Sequence, residues 1–242
     1  MKPMQMINTI FFDVGHTLIR PAQSTTTVCH ELLSAHGFAI ARERVKAAMH
    51  TADLDHLTRY HTPNHDWADP ETIYALWLRY YRHVFELLAL PELTALRADA
   101  LAHELITWYG RPAAWQPFPE ALETLAELHA AGYRLGAVSD WSVTLTPILH
   151  TLGLSRHLDF ALGSGNIGFC KPHIDFYRLA LKRAGAEPHE ALHVGDSYYA
   201  DVRGARAAGI TPVLIDRSRK LPPLDCITIH DLRDLASVIT DR

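Results

Sequence analysis

Cysteine is scarce in this sequence, and long apolar runs are missing. The three cysteines among its 242 residues, Cys29, Cys170 and Cys226, are odd in number and far apart. This spacing fits reduced thiols in a cytoplasm better than a disulfide framework or a zinc site. No stretch approaches the roughly 18 apolar residues of a membrane span, and residues 1–5 do not lead into a signal-peptide core. We therefore expect a cytoplasmic protein that has no membrane partner.

A block of basic residues is missing too. The formal net charge is −4, so a nucleic-acid partner is not expected. The apolar fraction of 48% and the charged fraction of 21% are ordinary for a globular protein. The length allows one large domain or two modest ones, each with its own core.

Residues 21–110 have the apolar spacing of helices and contain no convincing strand. The clearest helix begins with Asp69 as its N-cap, followed by proline and a wide apolar stripe. The segment 55–69 is rich in histidine and turn-forming residues and is predicted to be a loop. A further helix is predicted over residues 93–108, with Leu96 on its buried side.

From residue 112 onward, helix and strand patterns alternate. Glycine follows each helix, and the apolar strand segments lie at residues 134–138, 160–162, 191–194 and 211–215. Such alternation indicates right-handed βαβ units and a parallel sheet with helices on both faces. The apolar run at 8–12 must join this sheet, because the helical segment offers it no partner strand. The sequence thus predicts an α/β core of residues 1–20 and 112–242, with a helical domain of residues 21–111 inserted into it.

Polar side chains follow the predicted strands where each strand ends. They are Asp13 after the first strand, Ser139 and Asp140 after the second, Lys171 in the turn 168–172, and Asp196 and Asp201 after the fourth. Parallel strands bring their carboxyl ends to one edge of the sheet, where ligands of open α/β sheets bind. Clustered carboxylates repel one another unless a cation or a substrate needs them, so this edge is the candidate site.

A magnesium ion would account for the carboxylates. Mg²⁺ takes a near-octahedral shell of oxygens, usually from one or two carboxylates together with water and phosphate oxygens. Asp13, Asp196 and the carbonyl group of Gly15 are candidate ligands. The ion would screen the repulsion between a phosphate dianion and a carboxylate nucleophile.

A phosphoryl group would find donors at the same edge. The Ser139 hydroxyl and the backbone N–H groups next to it, at Asp140, can hold phosphoryl oxygens, and Lys171 can neutralise the remaining charge. Attack of Asp13 on phosphorus would give an aspartyl-phosphate, which water can cleave.

Four stretches of this chain together resemble the ordered motifs of the haloacid dehalogenase-like hydrolases. They are residues 12–18 (Phe-Asp-Val-Gly-His-Thr-Leu), 138–140 (Val-Ser-Asp), 168–172 (Gly-Phe-Cys-Lys-Pro) and 194–201 (Val-Gly-Asp-Ser-Tyr-Tyr-Ala-Asp). The inserted helices resemble the cap of subfamily I of that family. The resemblance implies a Rossmann-like core and a Mg²⁺-dependent phosphatase acting on a small phosphorylated metabolite. It also implies roles for individual residues: Asp13 as nucleophile, Ser139 and Lys171 as phosphate binders, Asp196 as metal ligand and Asp201 as an indirect, water-mediated metal partner.

One position departs from the family pattern. Phosphatases of the family usually carry a second aspartate two residues after the nucleophile, which protonates the leaving group, and here that residue is Gly15. A general acid contributes about 10²- to 10⁴-fold, most for poor leaving groups. Three explanations stay open: substrates with good leaving groups, a proton supplied by His16, a cap residue or water, or a weakly active or non-catalytic protein that binds a phosphorylated ligand.

Two other enzyme classes are alternative interpretations. A haloacid dehalogenase shares the fold but needs no metal, and a phosphonate-cleaving enzyme would use a cap lysine, for which Lys46 is the candidate. The histidines of the segment 55–69 match no zinc template. Cys170 is predicted to be a packed side chain, and Trp141 is a candidate to face the site.

Overall fold

The strand that ends at Asp13 runs through the centre of a six-stranded sheet in which every pair of neighbouring strands is parallel. The structure, a computed structural model, describes residues 7–61 and 66–240. In spatial order the strands are β5 (Phe160–Gly163), β4 (Arg134–Ser139), β1 (Thr9–Phe12), β6 (Ala191–Gly195), β7 (Thr211–Ile215) and β8 (Ile227–Ile229). The strand order reverses at β1. From β1 the chain adds β4 and β5 on one side, and it then adds β6, β7 and β8 on the other side. Such a switch point opens a crevice beyond the carboxyl ends of the strands.

Alternate residues of β1 point into two separate cores. Ile10 and Phe12 pack with one hydrophobic cluster, and Phe11 packs with another. All three are fully buried, as expected for a strand covered on both faces. The first cluster contains residues of α5 (Ala121–Ala130), α6 (Leu145–Thr151) and α9 (Leu235–Thr240), and the second contains residues of α7 (Ile174–Ala184) and α8 (Arg203–Ala207). The predicted parallel α/β sheet with helices on both faces is confirmed.

Four helices follow β1 in the sequence, before the next strand of the six-stranded sheet, and they share a hydrophobic core of their own. They are α1 (Thr25–Ala35), α2 (Arg42–Tyr60), α3 (Pro70–Leu88) and α4 (Ala95–Tyr109). We refer to α1–α4 as the helical segment. Asp69 caps α3 as predicted, because its carboxylate accepts hydrogen bonds from the N–H groups of Glu71 and Thr72. None of the helices in the described part of the chain is both long and apolar enough to cross a membrane.

A short hairpin marks the base of the helical segment. β2 (Ile19–Pro21) pairs antiparallel with β3 (Trp115–Pro117), so the chain leaves and re-enters the sheet region at one place. The sequence did not predict these strands. Three residues each are too few to give an alternating pattern, and both strands contain proline.

Two predictions for the helical segment are wrong. Residues 55–60 are helical rather than part of a loop, because α2 continues to Tyr60 and the ring of His56 stacks on Trp77 at 5.4 Å. Leu96 is 81% exposed, since it lies in the first turn of α4 on the side away from the core. His65, the third histidine of the predicted loop, lies outside the described residues.

Candidate active site

The turn after β1 fixes the backbone of Asp13. Its N–H donates to the carbonyl of Val194 in β6 at 2.8 Å, which continues the sheet pairing up to the carboxylate. The chain then folds back, and the N–H groups of Leu18 and Ile19 both donate to the carbonyl of Val14, at 2.9 and 3.0 Å. His16 has a φ of 57°, a left-handed conformation that is uncommon for residues other than glycine. The tight turn therefore stores backbone strain next to the site.

Arg217 holds this turn from outside. Its guanidinium donates to the carbonyl of Thr17 at 2.7 Å, to the carbonyl of His16 at 3.2 Å and to the carboxylate of Glu120 at 2.7 Å. The guanidinium also lies over the ring of Phe118, 3.5 Å from its centroid. A planar cation with several donors suits such a clamp, and the clamp offsets the strain at His16.

Two side chains from separate elements donate hydrogen bonds to Asp13. Ser139 at the end of β4 donates to Oδ1 of Asp13 at 2.9 Å, and Nζ of Lys171 donates to the same oxygen at 2.6 Å. Lys171 also donates to Oδ1 of Asp201 at 2.7 Å. The side chains of all four residues are buried. Burial alone would lower the pKa of Lys171, but Asp13 and Asp201 outweigh it and hold the pKa well above its usual range.

Asp196 and Asp201 follow β6 on the same edge. One oxygen from each of Asp13, Asp196 and Asp201 lies within 4.8 Å of the other two. Asp196 is open to solvent, while Asp13 and Asp201 are buried. Although Asp196 is exposed, neighbouring protein atoms displace part of the water around its carboxyl group, and this desolvation, reinforced by the negative charges of Asp13 and Asp201, raises the pKa of Asp196 well above its usual range.

Asp201 is the most firmly held of these carboxylates. Besides Lys171, it accepts a hydrogen bond from the N–H of Ser197 at 2.9 Å, and Nε2 of His193 lies 2.9 Å from its Oδ1. Burial acts to raise the pKa of Asp201, but Lys171 and His193 outweigh it and hold the pKa well below the usual value. Because an ionised carboxylate only accepts hydrogen bonds, Nε2 of His193 carries a proton.

Asp140 uses its carboxylate to tie neighbouring segments together. Oδ1 accepts the backbone N–H of Lys171 at 2.9 Å, and Oδ2 accepts the hydroxyl of Tyr60 at 3.1 Å. Burial raises the pKa of Asp140 to about 7. Both carboxylate oxygens of Asp140 therefore already have donors from the protein itself.

The acidic residues suit a hard divalent cation. Carboxylate and carbonyl oxygens are the ligands that Mg²⁺ prefers, and in the described part of the chain Lys171 pairs with two of the three carboxylates, Asp13 and Asp201. Within the described ranges, no other residue donates a hydrogen bond to the carboxylate of Asp196 or to the carbonyl of Gly15. Those oxygens remain available to a cation, whereas both oxygens of Asp201 already have donors. The donor set thus fits the group that the sequence predicts.

Comparison with known proteins agrees with this geometry. A family model described as haloacid dehalogenase-like hydrolase matches residues 7–209. The chain belongs to the haloacid dehalogenase-like hydrolases. It is 32% identical over 210 residues to the mouse haloacid dehalogenase-like hydrolase domain-containing protein 3, covering 87% of this chain and 82% of the relative.

Two further comparisons extend over almost the whole chain. The phosphoserine phosphatase of Thermus thermophilus is 31% identical over an alignment of 245 positions, which covers 93% of this chain and 94% of that protein. The HAD-hydrolase YfnB from Bacillus subtilis, solved with bound magnesium, superposes with a TM-score of 0.78. It covers 97% of this chain and 99% of YfnB at 17% identity, so it shows a shared fold alone.

This hydrolase brings its sequence-predicted polar residues together at one edge of the sheet. Asp13, Ser139, Lys171 and Asp201 form one hydrogen-bonded group, with Asp196 beside it. The other candidates are less central. Lys46 is exposed on α2, and Cys170 is buried, with burial raising the pKa of its thiol to about 12. Such a thiol is a poor nucleophile.

Gly15 faces an aromatic side chain. A Cβ atom added at Gly15 would lie 3.3 Å from Cζ3 of Trp141, which is tighter than an ordinary contact. The indole is itself held, because its Nε1 donates to Thr144 at 3.2 Å and its ring packs against Trp115 at 4.8 Å. Trp141 thus borders the site, and its ring occupies space into which a side chain at position 15 would project.

Three residues of the site were missed in the sequence. His193 supports Asp201, Arg217 clamps the turn at His16, and Tyr60 bonds Asp140. Only His193 carries a local signal, as a polar residue inside the apolar run of β6. Arg217 and Tyr60 act across 200 and 80 positions of sequence, respectively, and no spacing rule indicates such contacts.

Replacing Lys171 with methionine is expected to destabilise the fold in metal-free buffer by about 3 to 5 kcal/mol, because it leaves buried carboxylates without their counter-ion. Urea unfolding monitored by circular dichroism measures the loss. Lys182→Met is the control, since Lys182 is exposed on α7 and its loss should change little. Equal effects of the two substitutions would contradict the role given to Lys171.

Proposed function

We propose that this hydrolase is a cytoplasmic, Mg²⁺-dependent phosphohydrolase of small phosphorylated metabolites, with Asp13 as its nucleophile. In this proposal residues 1–20 and 112–242 form the catalytic core, and residues 21–111, which include the helical segment, form a cap. Asp13, Asp196 and the Gly15 carbonyl hold the metal directly, and Asp201 supports it indirectly. Nucleic acids and membranes are not partners.

The observation that carries this proposal is the hydrogen-bonded group around Asp13. One oxygen of the Asp13 carboxylate accepts hydrogen bonds from Ser139 and Lys171, and these bonds orient the carboxylate. A carboxylate oxygen of Asp196 lies within 4.8 Å of it, so the two acidic groups can bind one cation. The same hydroxyl and ammonium groups are suitable donors for phosphoryl oxygens. A structural salt bridge alone would need no third carboxylate in contact with solvent.

The chain's own groups account for the chemistry in two displacements at phosphorus. In the first, a carboxylate oxygen of Asp13 forms a bond to phosphorus while the bond to the leaving oxygen breaks, which gives an acyl phosphate. In the second, water attacks the phosphorus while the bond from phosphorus to the Asp13 oxygen breaks, which frees the carboxylate and releases inorganic phosphate carrying the protons of the water. Ser139, the Asp140 N–H and Lys171 hold the phosphoryl oxygens during both steps. A bound Mg²⁺ would supply charge neutralisation between the phosphate and Asp13.

The relatives support a phosphate ester as substrate. Phosphoserine phosphatase of Thermus thermophilus aligns along nearly its full length. A glyceraldehyde 3-phosphate phosphatase of Methanothermobacter thermautotrophicus matches at 33% identity, over 48% of this chain. Their substrates are small, and a cap that closes over the site favours small molecules.

A substrate panel tests the proposal. Phosphorylated sugars, amino acids and other metabolites are incubated with the protein, with Mg²⁺ or with a chelator, and released phosphate is measured. We expect release from a subset of the panel, and only with Mg²⁺. Binding of phosphorylated compounds without any release would instead support a non-catalytic ligand-binding protein. Halide release from 2-haloacids without metal would support a dehalogenase, and phosphate release from phosphonates that is lost in Lys46→Ala would support a phosphonate-cleaving enzyme.

Asp196→Asn is expected to have opposite effects on stability and on metal binding. Because burial and two acidic neighbours oppose the ionisation of Asp196 in the folded state, replacing it with neutral asparagine of the same shape should raise the unfolding temperature in metal-free buffer. It should also raise the Mg²⁺ concentration for half-maximal activity at least about tenfold, the equivalent of ~1.4 kcal/mol. Calorimetric melts and Mg²⁺ titrations measure the two effects. Asp175→Asn on the surface of α7 is the control, and an unchanged Mg²⁺ requirement in Asp196→Asn would argue against this ligand.

A further inference from the structure

Tyr60 reaches from the helical segment into the candidate active site. It is the last residue of α2, and its hydroxyl donates to Oδ2 of Asp140 at 3.1 Å. Asp140 directly follows Ser139, whose hydroxyl contacts Asp13. The contact therefore joins the helical segment to the strand end that presents the phosphate-binding hydroxyl.

The other oxygen of Asp140 connects this contact to Lys171. Oδ1 accepts the backbone N–H of Lys171 at 2.9 Å, and Nζ of the same lysine contacts both Asp13 and Asp201. Hydrogen bonds thus join Tyr60 to the Asp140 carboxylate and that carboxylate to the backbone of Lys171, whose own side chain reaches the nucleophile. Asp13, Asp140 and Lys171 are buried and Tyr60 is half-buried, so few solvent contacts compete with these bonds.

The ring of Tyr60 is held so that its hydroxyl points at Asp140. It lies edge-on to Trp67 at 6.3 Å and to Tyr199 at 6.4 Å, and it stacks with His56 at 6.3 Å. Tyr199 belongs to the turn after β6 that carries Asp196 and Asp201. Burial next to Asp140 raises the pKa of Tyr60 well above its usual range, so the phenol keeps the proton that it donates.

A second contact binds the Lys171 segment to the helical segment. The N–H of Gly168 donates to the carbonyl of Ala68 at 3.1 Å, close to the start of α3. The chain around Lys171 is therefore attached at two points, directly through Gly168 and by way of Asp140 through the N–H of Lys171. These attachments make the position of Lys171 sensitive to the position of the helices.

We propose that Tyr60 is a positioning residue through which the helical segment, as the cap, sets Lys171 in its catalytic place by way of Asp140. The inference rests on the proposed phosphohydrolase function. The tyrosine acts on the chemical step through Asp140 and makes no contact with the substrate. A site with the cap displaced would lose the hydroxyl that holds Asp140, and turnover would thus require the closed arrangement.

Tyr60→Phe removes only the hydroxyl. We expect kcat to fall about 10- to 100-fold, because small misplacements of catalytic groups have effects of that size, while KM changes less than about threefold. Tyr80→Phe is a matched control, since Tyr80 donates to Asp53 at 2.6 Å entirely within the helical segment. Both variants should lose similar unfolding stability, but only Tyr60→Phe should lose kcat. A fall of kcat in both, or in neither, would overturn the proposal.

A double-mutant cycle tests the path itself. If the hydroxyl acts through Asp140, the kcat of Tyr60→Phe/Asp140→Ala should equal that of Asp140→Ala alone. A further fall in the double variant, or a rise in KM that depends on the substrate, would show that Tyr60 contacts the substrate instead and would overturn the inference.

A readout that needs no turnover separates this inference from the proposed function. Amide hydrogen exchange of Lys171, followed by NMR, should be faster in Tyr60→Phe than in wild type and unchanged in Tyr80→Phe. If wild type releases no phosphate, the proposed function fails, but faster exchange would still support the structural link. Equal exchange in wild type and Tyr60→Phe would exclude the link, whether or not the protein is a phosphatase.

Discussion

Asp13→Asn should lower kcat for phosphate release by about 10⁴-fold or more, because removal of a nucleophile abolishes the covalent route. Asparagine has nearly the same shape as aspartate, and its carbonyl oxygen can still accept hydrogen bonds from Ser139 and Lys171. The fold should therefore persist while the chemistry is lost. Steady-state assays of released phosphate at saturating Mg²⁺ measure the effect.

The control for this substitution must also remove one carboxylate. Asp175→Asn does so on the surface of α7, where Asp175 pairs with His173 and Arg178, both within three positions of it. We expect its kcat to match wild type and both variants to keep a native circular-dichroism spectrum. A folded Asp13→Asn protein that retains more than a few per cent of wild-type activity would remove Asp13 from the role of nucleophile.

The second large effect is expected in the choice of substrate. Gly15 offers no acidic group to the leaving oxygen, and the ring of Trp141 lies against the position where a side chain would project. A missing general acid lowers rates by about 10²- to 10⁴-fold, mainly for leaving groups that must be protonated. We therefore expect aryl phosphates to be hydrolysed faster than alkyl phosphates by a factor of this order, and the rate to fall as the pKa of the leaving group rises.

Substitutions at position 15 separate this effect from steric change. Gly15→Asp and Gly15→Asn meet Trp141 in the same way, since their side chains have the same shape, but only aspartic acid can transfer a proton. Alkyl phosphate hydrolysis should rise in Gly15→Asp and not in Gly15→Asn. Wild-type rates that are equal across leaving groups, and that collapse for alkyl esters in His16→Gln, would show that His16 supplies the proton and would contradict the prediction.

The strand ends could be predicted because parallel strands obey a simple rule. Apolar runs that stop at Asp13, Ser139 and Asp196 must end on the same edge of one sheet. The observed sheet has that arrangement, with β1 between β4 and β6. Neither the exact order of the strands nor the short pair β2 and β3 has a comparable signature in sequence.

Errors in the helical segment have a different cause. Residues 55–60 contain an aspartate, a histidine and a threonine, whose intrinsic preferences do not favour a helix. They are helical because His56 and Tyr60 pack against aromatic side chains from other parts of the chain. Tertiary contacts therefore override local preference, and the same contacts place Tyr60 at Asp140.

The residues that support the site could not be predicted from the sequence, for a related reason. Sequence patterns indicate which residues carry the chemistry, since carboxylates after strands are conspicuous. They do not indicate which residues hold those carboxylates in place. Arg217 is an arginine near the end of the chain with no motif around it, and only the folded structure brings it to the turn at His16.

Direct detection of the acyl phosphate on Asp13 tests the central claim of this account. Wild-type protein is mixed with a turnover substrate and Mg²⁺, quenched in acid and digested, and the peptide that contains Asp13 is examined by mass spectrometry. We predict one added phosphoryl group on Asp13, formed only with Mg²⁺ and absent in Asp13→Asn. Two results would contradict the account. One is a phosphoryl group found on another residue during turnover, and the other is undiminished activity in Asp13→Asn.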